Sequence, residues 1–179
     1  MQQAQDEYIK AWCALKIMSK VYGFGDPDGF VFNMSVGYDL DGIKGRKVNT
    51  YINNMMDAGK TAQFKECKKV LTELFPEEKD FIASISPNVT RSVTLSTLHG
   101  CPPQEIERIA SYLLKEKHLH TFVKCNPTIL GYKTARSILD SMGYDYIVFD
   151  EHHFNEDLQW EDAVPMFERL QALADSLGL

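Results

Sequence analysis

The run Thr121–Phe122–Val123–Lys124–Cys125–Asn126–Pro127 decides how this chain is read. A helical pattern precedes it and a proline ends it, so Thr121–Asn126 is expected to be a strand. Alternation puts Phe122, Lys124 and Asn126 on one face, with Val123 and Cys125 on the other. A strand flanked by helices belongs to a parallel sheet covered on both faces. There an ammonium and an amide must be paired, or must line a site. Lys124 thus marks both the fold class and the end of the sheet where chemistry is expected.

Working outward, Phe30–Val36, Ser92–Ser96 and Tyr146–Asp150 read as further strands, each ending in polar or glycine-rich residues. Runs of helical period lie between them. One stripe is Val48, Tyr51, Ile52, Met55 and Met56, and a second is Phe64, Cys67, Leu71, Leu74 and Phe75. Ile106, Ile109, Ala110, Leu113 and Leu114 follow Pro102–Pro103, where proline suits a first helical turn. Ala135, Ile138, Leu139 and Met142 mark a helix that stops at Gly143. Ala163, Met166, Phe167, Leu170, Leu173, Ala174 and Leu177 form the cleanest stripe. A first helix, roughly Gln5 to Tyr22, precedes the first strand, and Asp26–Pro27–Asp28–Gly29 is a turn.

Strand alternating with helix is the α/β signature. A closed (β/α)₈ barrel needs eight strands and about 250 residues. With four strand candidates in 179 residues, the chain reads as one segment, residues 1–179, of a partial (β/α)₈ barrel. Exposed sheet edges or an exposed sheet face are expected, covered by a second copy in a homodimer.

Net charge is −6, from 25 acidic against 19 basic residues, with no basic run. That argues against nucleic acid and anionic membrane as partners. No apolar stretch approaches membrane-spanning length. Cysteines 13, 67, 101 and 125 are scattered without a CxxC pair. That is the usage of a reduced cytoplasmic protein, and no iron–sulfur ligand pattern is present. Cytoplasmic usage also makes the Asn88–Val89–Thr90 glycosylation pattern irrelevant.

Polar residues recur on one face of the other strands. Val31, Asn33, Ser35 and Gly37 share a face, as do Thr94 and Ser96. The polar faces are expected to turn inward, with Phe32, Met34, Val36, Val93 and Leu95 outward beneath the helices. A single Ser or Thr there is ordinarily a barrel-interior hydroxyl bonded to backbone. The stretch Leu95–Ser96–Thr97–Leu98–His99–Gly100–Cys101–Pro102–Pro103 runs from a strand end into a helix. Barrel enzymes keep catalytic groups in such loops. His99 is placed to act as acid or base, and Cys101 as nucleophile, proton donor or plain packing residue. Cys125, on the outward face, reads as packing. Asp150–Glu151–His152–His153 lacks HxH or HxxxH spacing, so it reads as a solvated strand-end loop rather than a metal site. His118 and His120 read as solvated.

Three stretches carry a resemblance. They are Phe32–Asn33–Met34–Ser35–Val36–Gly37–Tyr38–Asp39–Leu40–Asp41–Gly42–Ile43–Lys44, the Val93–Pro103 run, and Thr121–Phe122–Val123–Lys124–Cys125–Asn126–Pro127–Thr128. With Asn53–Asn54–Met55–Met56–Asp57–Ala58 adjoining, they resemble the amino-terminal barrel region of the selenate reductase flavoprotein/iron–sulfur subunit family. Those large bacterial proteins join a dihydroorotate-dehydrogenase-like barrel to iron–sulfur and flavin modules. The likeness spans nearly the whole chain.

A more distant similarity, to the flavin barrel of dihydropyrimidine dehydrogenase, implies roles. Its Asn-Leu-Ser-Cys-Pro-His-Gly pattern carries a substrate-binding asparagine and a catalytic cysteine, which Thr94 and Thr97 replace here. His99 and Gly100 survive, and Cys101 lies four positions beyond the expected cysteine. Lys124 matches a lysine that contacts the flavin, and Asp150–Glu151 replaces a later Asn-Thr motif. The resemblance therefore implies FMN in the intact barrel, with Lys124, Asn126, Asn33 and Ser35 around it. His99 and Cys101 become the catalytic candidates, and Thr94 and Thr97 would face substrate. Iron–sulfur clusters and FAD would lie outside this chain. Its partners would be the remaining barrel strands and the redox domains. The four strands then correspond to the third to sixth of the barrel. The loops after strands seven and eight, which hold the flavin phosphate, are not included, so the segment alone is expected to be inactive. The alternative is a degenerate barrel without flavin that serves as a docking scaffold for the redox domains.

Overall fold

The computed structural model describes residues 1–97 and 100–179. Helix α1 (Gln2–Tyr22) leads to strand β1 (Phe32–Val36), then α2 (Leu40–Lys44), α3 (Arg46–Met56), α4 (Ala62–Leu74) and α5 (Lys79–Ser84). Strand β2 (Thr90–Leu95) is followed by α6 (Pro103–Lys115), β3 (His120–Val123), α7 (Tyr132–Ser141), α8 (Glu151–Asn155) and α9 (Trp160–Leu177). The strands form a parallel sheet in the order β1-β2-β3. The α/β partial-barrel class and sequential strand order are as expected, but among the described residues the sheet has three strands rather than four. No described helix is long and apolar enough to cross a membrane.

By internal packing the chain divides into two compact units. One comprises Met1–Met34 with Lys44–Ser92, the other Ser35–Ile43 with Val93–Leu179. In the first, α1 packs on α3 and α4. Its buried face is Gln5, Ile9, Trp12, Cys13, Lys16 and Ile17, a helical stripe with two polar members, Gln5 and Lys16. Their polar heads are satisfied. Gln5 accepts a 2.8 Å hydrogen bond from the Asn54 amide. The Lys16 ammonium donates to the Pro27 carbonyl and meets Asp28 at 2.7 Å. It also stands 4.3 Å from the Trp12 ring centroid and 4.9 Å from that of Phe30. The Asp26–Gly29 turn is thereby fastened to α1. The stripe on α3 is buried at Val48, Tyr51, Ile52 and Met55, whereas on α4 only Phe64 is buried and Leu74 is 65% exposed.

In the second unit, α6 packs against β3 and α9. All five of its expected stripe residues are buried. The α9 stripe is buried at Ala163, Met166 and Leu170, while α7 buries only Ala135. The Leu40 amide donates to the Glu105 carboxylate at 3.1 Å, pinning α2 to the first turn of α6.

The expected fourth strand, Tyr146–Asp150, does not form. Its backbone is committed elsewhere. The Ile147 amide donates to the Tyr144 carbonyl at 3.1 Å, closing a turn. Arg136, from α7, donates to the carbonyls of Tyr144 and Ile147 and stands 4.8 Å from the Phe149 ring centroid. Phe149 packs in turn against Tyr132 and Phe154. A ladder would need those carbonyls free, so the guanidinium holds the segment to α7, leaving Val148 93% exposed. The Asp150–His153 loop is corrected too. Asp150 caps α8, its carboxylate accepting from the His152 amide at 2.8 Å.

Strands β1 and β2 approach closely at their carboxyl ends, where the Ser96 amide donates to the Val36 carbonyl at 2.8 Å. A Cβ added at Gly37 would stand 2.8 Å from the Ser96 carbonyl oxygen. Gly37→Ala is therefore expected to cost about 1–3 kcal/mol through overpacking. It should appear as a lower urea midpoint at unchanged slope.

Candidate site at the carboxyl ends of the strands

Of the described site candidates, Asn33 belongs to the first unit and the others to the second. Asn33 is exposed on β1, and its carbonyl accepts from the Tyr8 hydroxyl at 3.4 Å. Ser35 is exposed, lying between buried Met34 and Val36. Thr94 is half-buried between buried Val93 and Leu95, and Thr97 is half-buried beyond the strand. His99 lies outside the described residues.

The Lys124 amide donates to the Leu95 carbonyl at 2.9 Å, continuing the pairing one residue past β3. Its side chain is exposed, and among the described residues its ammonium has no hydrogen-bond partner. Phe122, two residues earlier, is 58% exposed. The face that Lys124 shares with Phe122 is open to solvent, so of the two alternatives, a paired ammonium or one lining a site, no pairing is found among the described residues.

Asn126 is half-buried and directly precedes a 3₁₀ turn, Pro127–Leu130, rather than ending a strand. Its amide donates to Asp157 at 2.7 Å, and the Thr128 hydroxyl donates to the same oxygen at 2.9 Å. Asp157 is only 8% exposed. Burial alone would raise its pKa. The bonds from Asn126 and Thr128, joined by the backbone amides of Leu158 and Gly100, overcome this and hold it below the usual aspartate value. One carboxylate therefore gathers donors from the loop after β2 and the turn after β3.

Two thiols flank this carboxylate's partners, Cys101 following Gly100 and Cys125 preceding Asn126. Cys101 is half-buried. Burial first, then the charges of Glu105 and Asp157, push its thiol up. Cys125 is exposed as a residue, yet the shielding its thiol does have, with the charge of Asp157, raises it as well. Both are neutral thiols at pH 7, suited to hold a proton rather than to attack as thiolates.

Asp157, Thr128 and Lys16 escaped the sequence reading. Lys16 had a readable signal, since it occupies the i+7 position of the stripe that starts at Ile9. Asp157 had none. It lies in the polar run Asn155–Glu156–Asp157, and its partners are 29 and 31 residues away.

Parallel strands joined through helices, with polar and ionisable side chains gathered at their carboxyl ends, define a barrel-type α/β protein. The chain belongs to the family described as oxidoreductase YgfK, N-terminal TIM-barrel domain, which matches residues 1–179. It is 42% identical over 193 aligned residues to a protein of Escherichia coli strain K12 named "Putative oxidoreductase YgfK". The identity to the protein of the same name from Escherichia coli O157:H7 is also 42%. Each alignment covers 99% of this chain and 19% of the relative, so the chain spans about a fifth of the length of these curated relatives. No solved structure matches it.

Proposed function

We propose that the chain is the central segment of an FMN-type barrel within a multidomain iron–sulfur flavoprotein oxidoreductase, kin to the selenate reductase flavoprotein subunits. The observation that carries this reading is the exposed Lys124 ammonium, without a partner among the described residues, at the carboxyl end of β3. The pyrimidine edge of a flavin calls for a fixed cation and hydrogen-bonding groups, and Lys124, with the hydroxyls of Ser35 and Thr94, fits that requirement. Asn126 completes the set within this unit. When bound, FMN supplies a ring that accepts and releases hydride. Lys124 would hold the negative charge that grows on the N1–O2 edge. Cys101 would keep a proton on Sγ for the substrate, with His99 as the second catalytic candidate and Thr94 and Thr97 as the substrate-binding ones. Iron–sulfur clusters, FAD and the remaining barrel strands belong to the rest of a longer protein, and the setting is cytoplasmic.

This chain alone should bind FMN weakly. Ring-side hydrogen bonds contribute about 0.5–3 kcal/mol each, against several kcal/mol for immobilising a ligand. Fluorescence titration is expected to give a Kd no tighter than the high micromolar range. Saturation at nanomolar FMN would mean that these residues contain a phosphate site, and would overturn their placement as central strands. In a full-length protein, Lys124→Gln should weaken FMN binding to the barrel by about tenfold to a hundredfold, the worth of a charge-assisted hydrogen bond.

A second reading, the degenerate docking scaffold, is favoured by Thr94 and Thr97 and by the commitment of the Asn126 amide to Asp157. FMN released from the barrel domain on denaturation of the full-length protein supports the first reading. Flavin confined to the carboxyl-terminal module supports the second.

A further inference from the structure

Asp157 is the most constrained carboxylate at the carboxyl ends of the strands, and nothing in the flavin reading uses it. It is buried, yet it accepts from the Asn126 amide at 2.7 Å and the Thr128 hydroxyl at 2.9 Å. Backbone amides of Gly100 and Leu158 also bond to it. Gly100 belongs to the loop after β2, and Asn126 and Thr128 to the turn after β3. The carboxylate therefore fixes two site-bearing segments from a third, the approach to α9. Cys101 and Cys125 are chain neighbours of two of its donors.

We propose that Asp157 is the positioning residue of this site, clamping the loop after β2 to the turn after β3 beside Cys101 and Cys125. The clamp deepens the proposed site and rests on that reading only for its catalytic use. Thiol chemistry tests it without flavin.

The electrostatics follow from the groups around each sulfur. Cys101 meets the negative charges of Asp157 and of Glu105, from the first turn of α6. Among the described residues Asp157 is the charge that acts on Cys125, whose chain neighbour Lys124 is exposed. Burial is the larger cause at both sulfurs, and these charges add to it by opposing a second negative charge nearby. Removing the Asp157 charge while keeping its shape should let both thiols ionise at lower pH. Cys13, in the other unit, is an internal control. Burial and then neighbouring Cys67 push its thiol up to about 12, independently of Asp157.

The experiment is alkylation of the full chain by iodoacetamide from pH 6.5 to 10, resolved cysteine by cysteine by mass spectrometry. In Asp157→Asn the midpoints of Cys101 and Cys125 should fall by about 0.5–1 pH unit, raising their rates near pH 7.5 by about threefold to tenfold. Cys13 should not change, and Asp157→Glu should restore part of the wild-type profile. A role confined to packing would raise the plateau rates by exposing the sulfurs without moving either midpoint. That result, or no change at all, overturns the proposal. Should Asp157→Asn fail to fold, carboxyl-carbon NMR titration of the wild-type chain decides instead. An Asp157 midpoint below the ordinary aspartate value upholds the clamp, and an ordinary or raised one overturns it. Loss of FMN from the full-length protein with thiol midpoints unmoved would count against the clamp alone. Shifted midpoints in a barrel that never binds FMN would count against the flavin reading alone.

Discussion

Leu113→Ala is expected to lower the unfolding free energy by about 2–5 kcal/mol, as removal of a fully buried leucine does when its surroundings relax only partly. Leu113 has no exposed surface and sits mid-stripe on α6, the helix that packs on both β3 and α9. Its carbonyl also accepts from the Leu119 amide at 3.2 Å, where the chain turns from α6 into β3. A cavity there loosens the contact that sets β3 in place. Stabilities of about 5–15 kcal/mol are ordinary, so this one truncation removes a large share. Leu74→Ala is the matched control. Leu74 lies on an equally regular stripe but is 65% exposed, and its truncation should change stability by no more than about 0.5 kcal/mol. Urea midpoints of the two variants at unchanged slope measure the contrast. Equal losses would show that burial does not rank these stripes.

That contrast marks where the sequence is informative. Helical period names the face that can be buried, and on α6 all five stripe residues are. On α4 and α7 the same period yields one buried residue each, Phe64 and Ala135. Period alone does not say whether a neighbour exists to cover a face. The three strands were legible because alternation and flanking helices agree at each. Tyr146–Asp150 has the same apolar character, but whether it pairs depends on Arg136, ten residues upstream, which takes two of its region's carbonyls. Such capture of backbone by a side chain leaves no pattern in composition or spacing.

The candidate site was legible in part for a similar reason. Lys124 stands out because an ammonium in a strand is costly unless it has a purpose, and Cys101 because it precedes a helix. The two-sided cover usual for a parallel strand is not met at Lys124, because Phe122, Lys124 and Ser35 are exposed. Alternation puts Asn126 on a strand face, yet its amide turns to Asp157. A residue whose role consists of long-range hydrogen bonds cannot be found by local spacing. Only the three-dimensional proximity of Gly100, Asn126 and Thr128 exposes it.

Asp157→Ala should accordingly be among the most destabilising single changes in the second unit. Two side-chain donors and two backbone amides lose a buried, charged acceptor at once. A donor left unsatisfied costs about 1–3 kcal/mol, and rearrangement or entering water can rescue some of them, so a loss of about 3–5 kcal/mol is expected. The effect should depend on pH in a definite sense. The folded carboxyl lies below the 3.8 of an unconstrained aspartate, so folding favours its ionised form. Its contribution is complete above the unfolded value and disappears as pH falls below 3.8 through the folded value. The Glu107 carboxyl, lowered by its hydrogen bond to Arg169, titrates in the same acid region. The useful quantity is therefore the difference between wild type and Asp157→Asn, in which Glu107 cancels. That difference should be flat from pH 5 to 8 and should shrink as acid protonates Asp157. A difference that widened in acid would mean that Asp157 is held protonated in the fold, and that the four donors do not outweigh its burial.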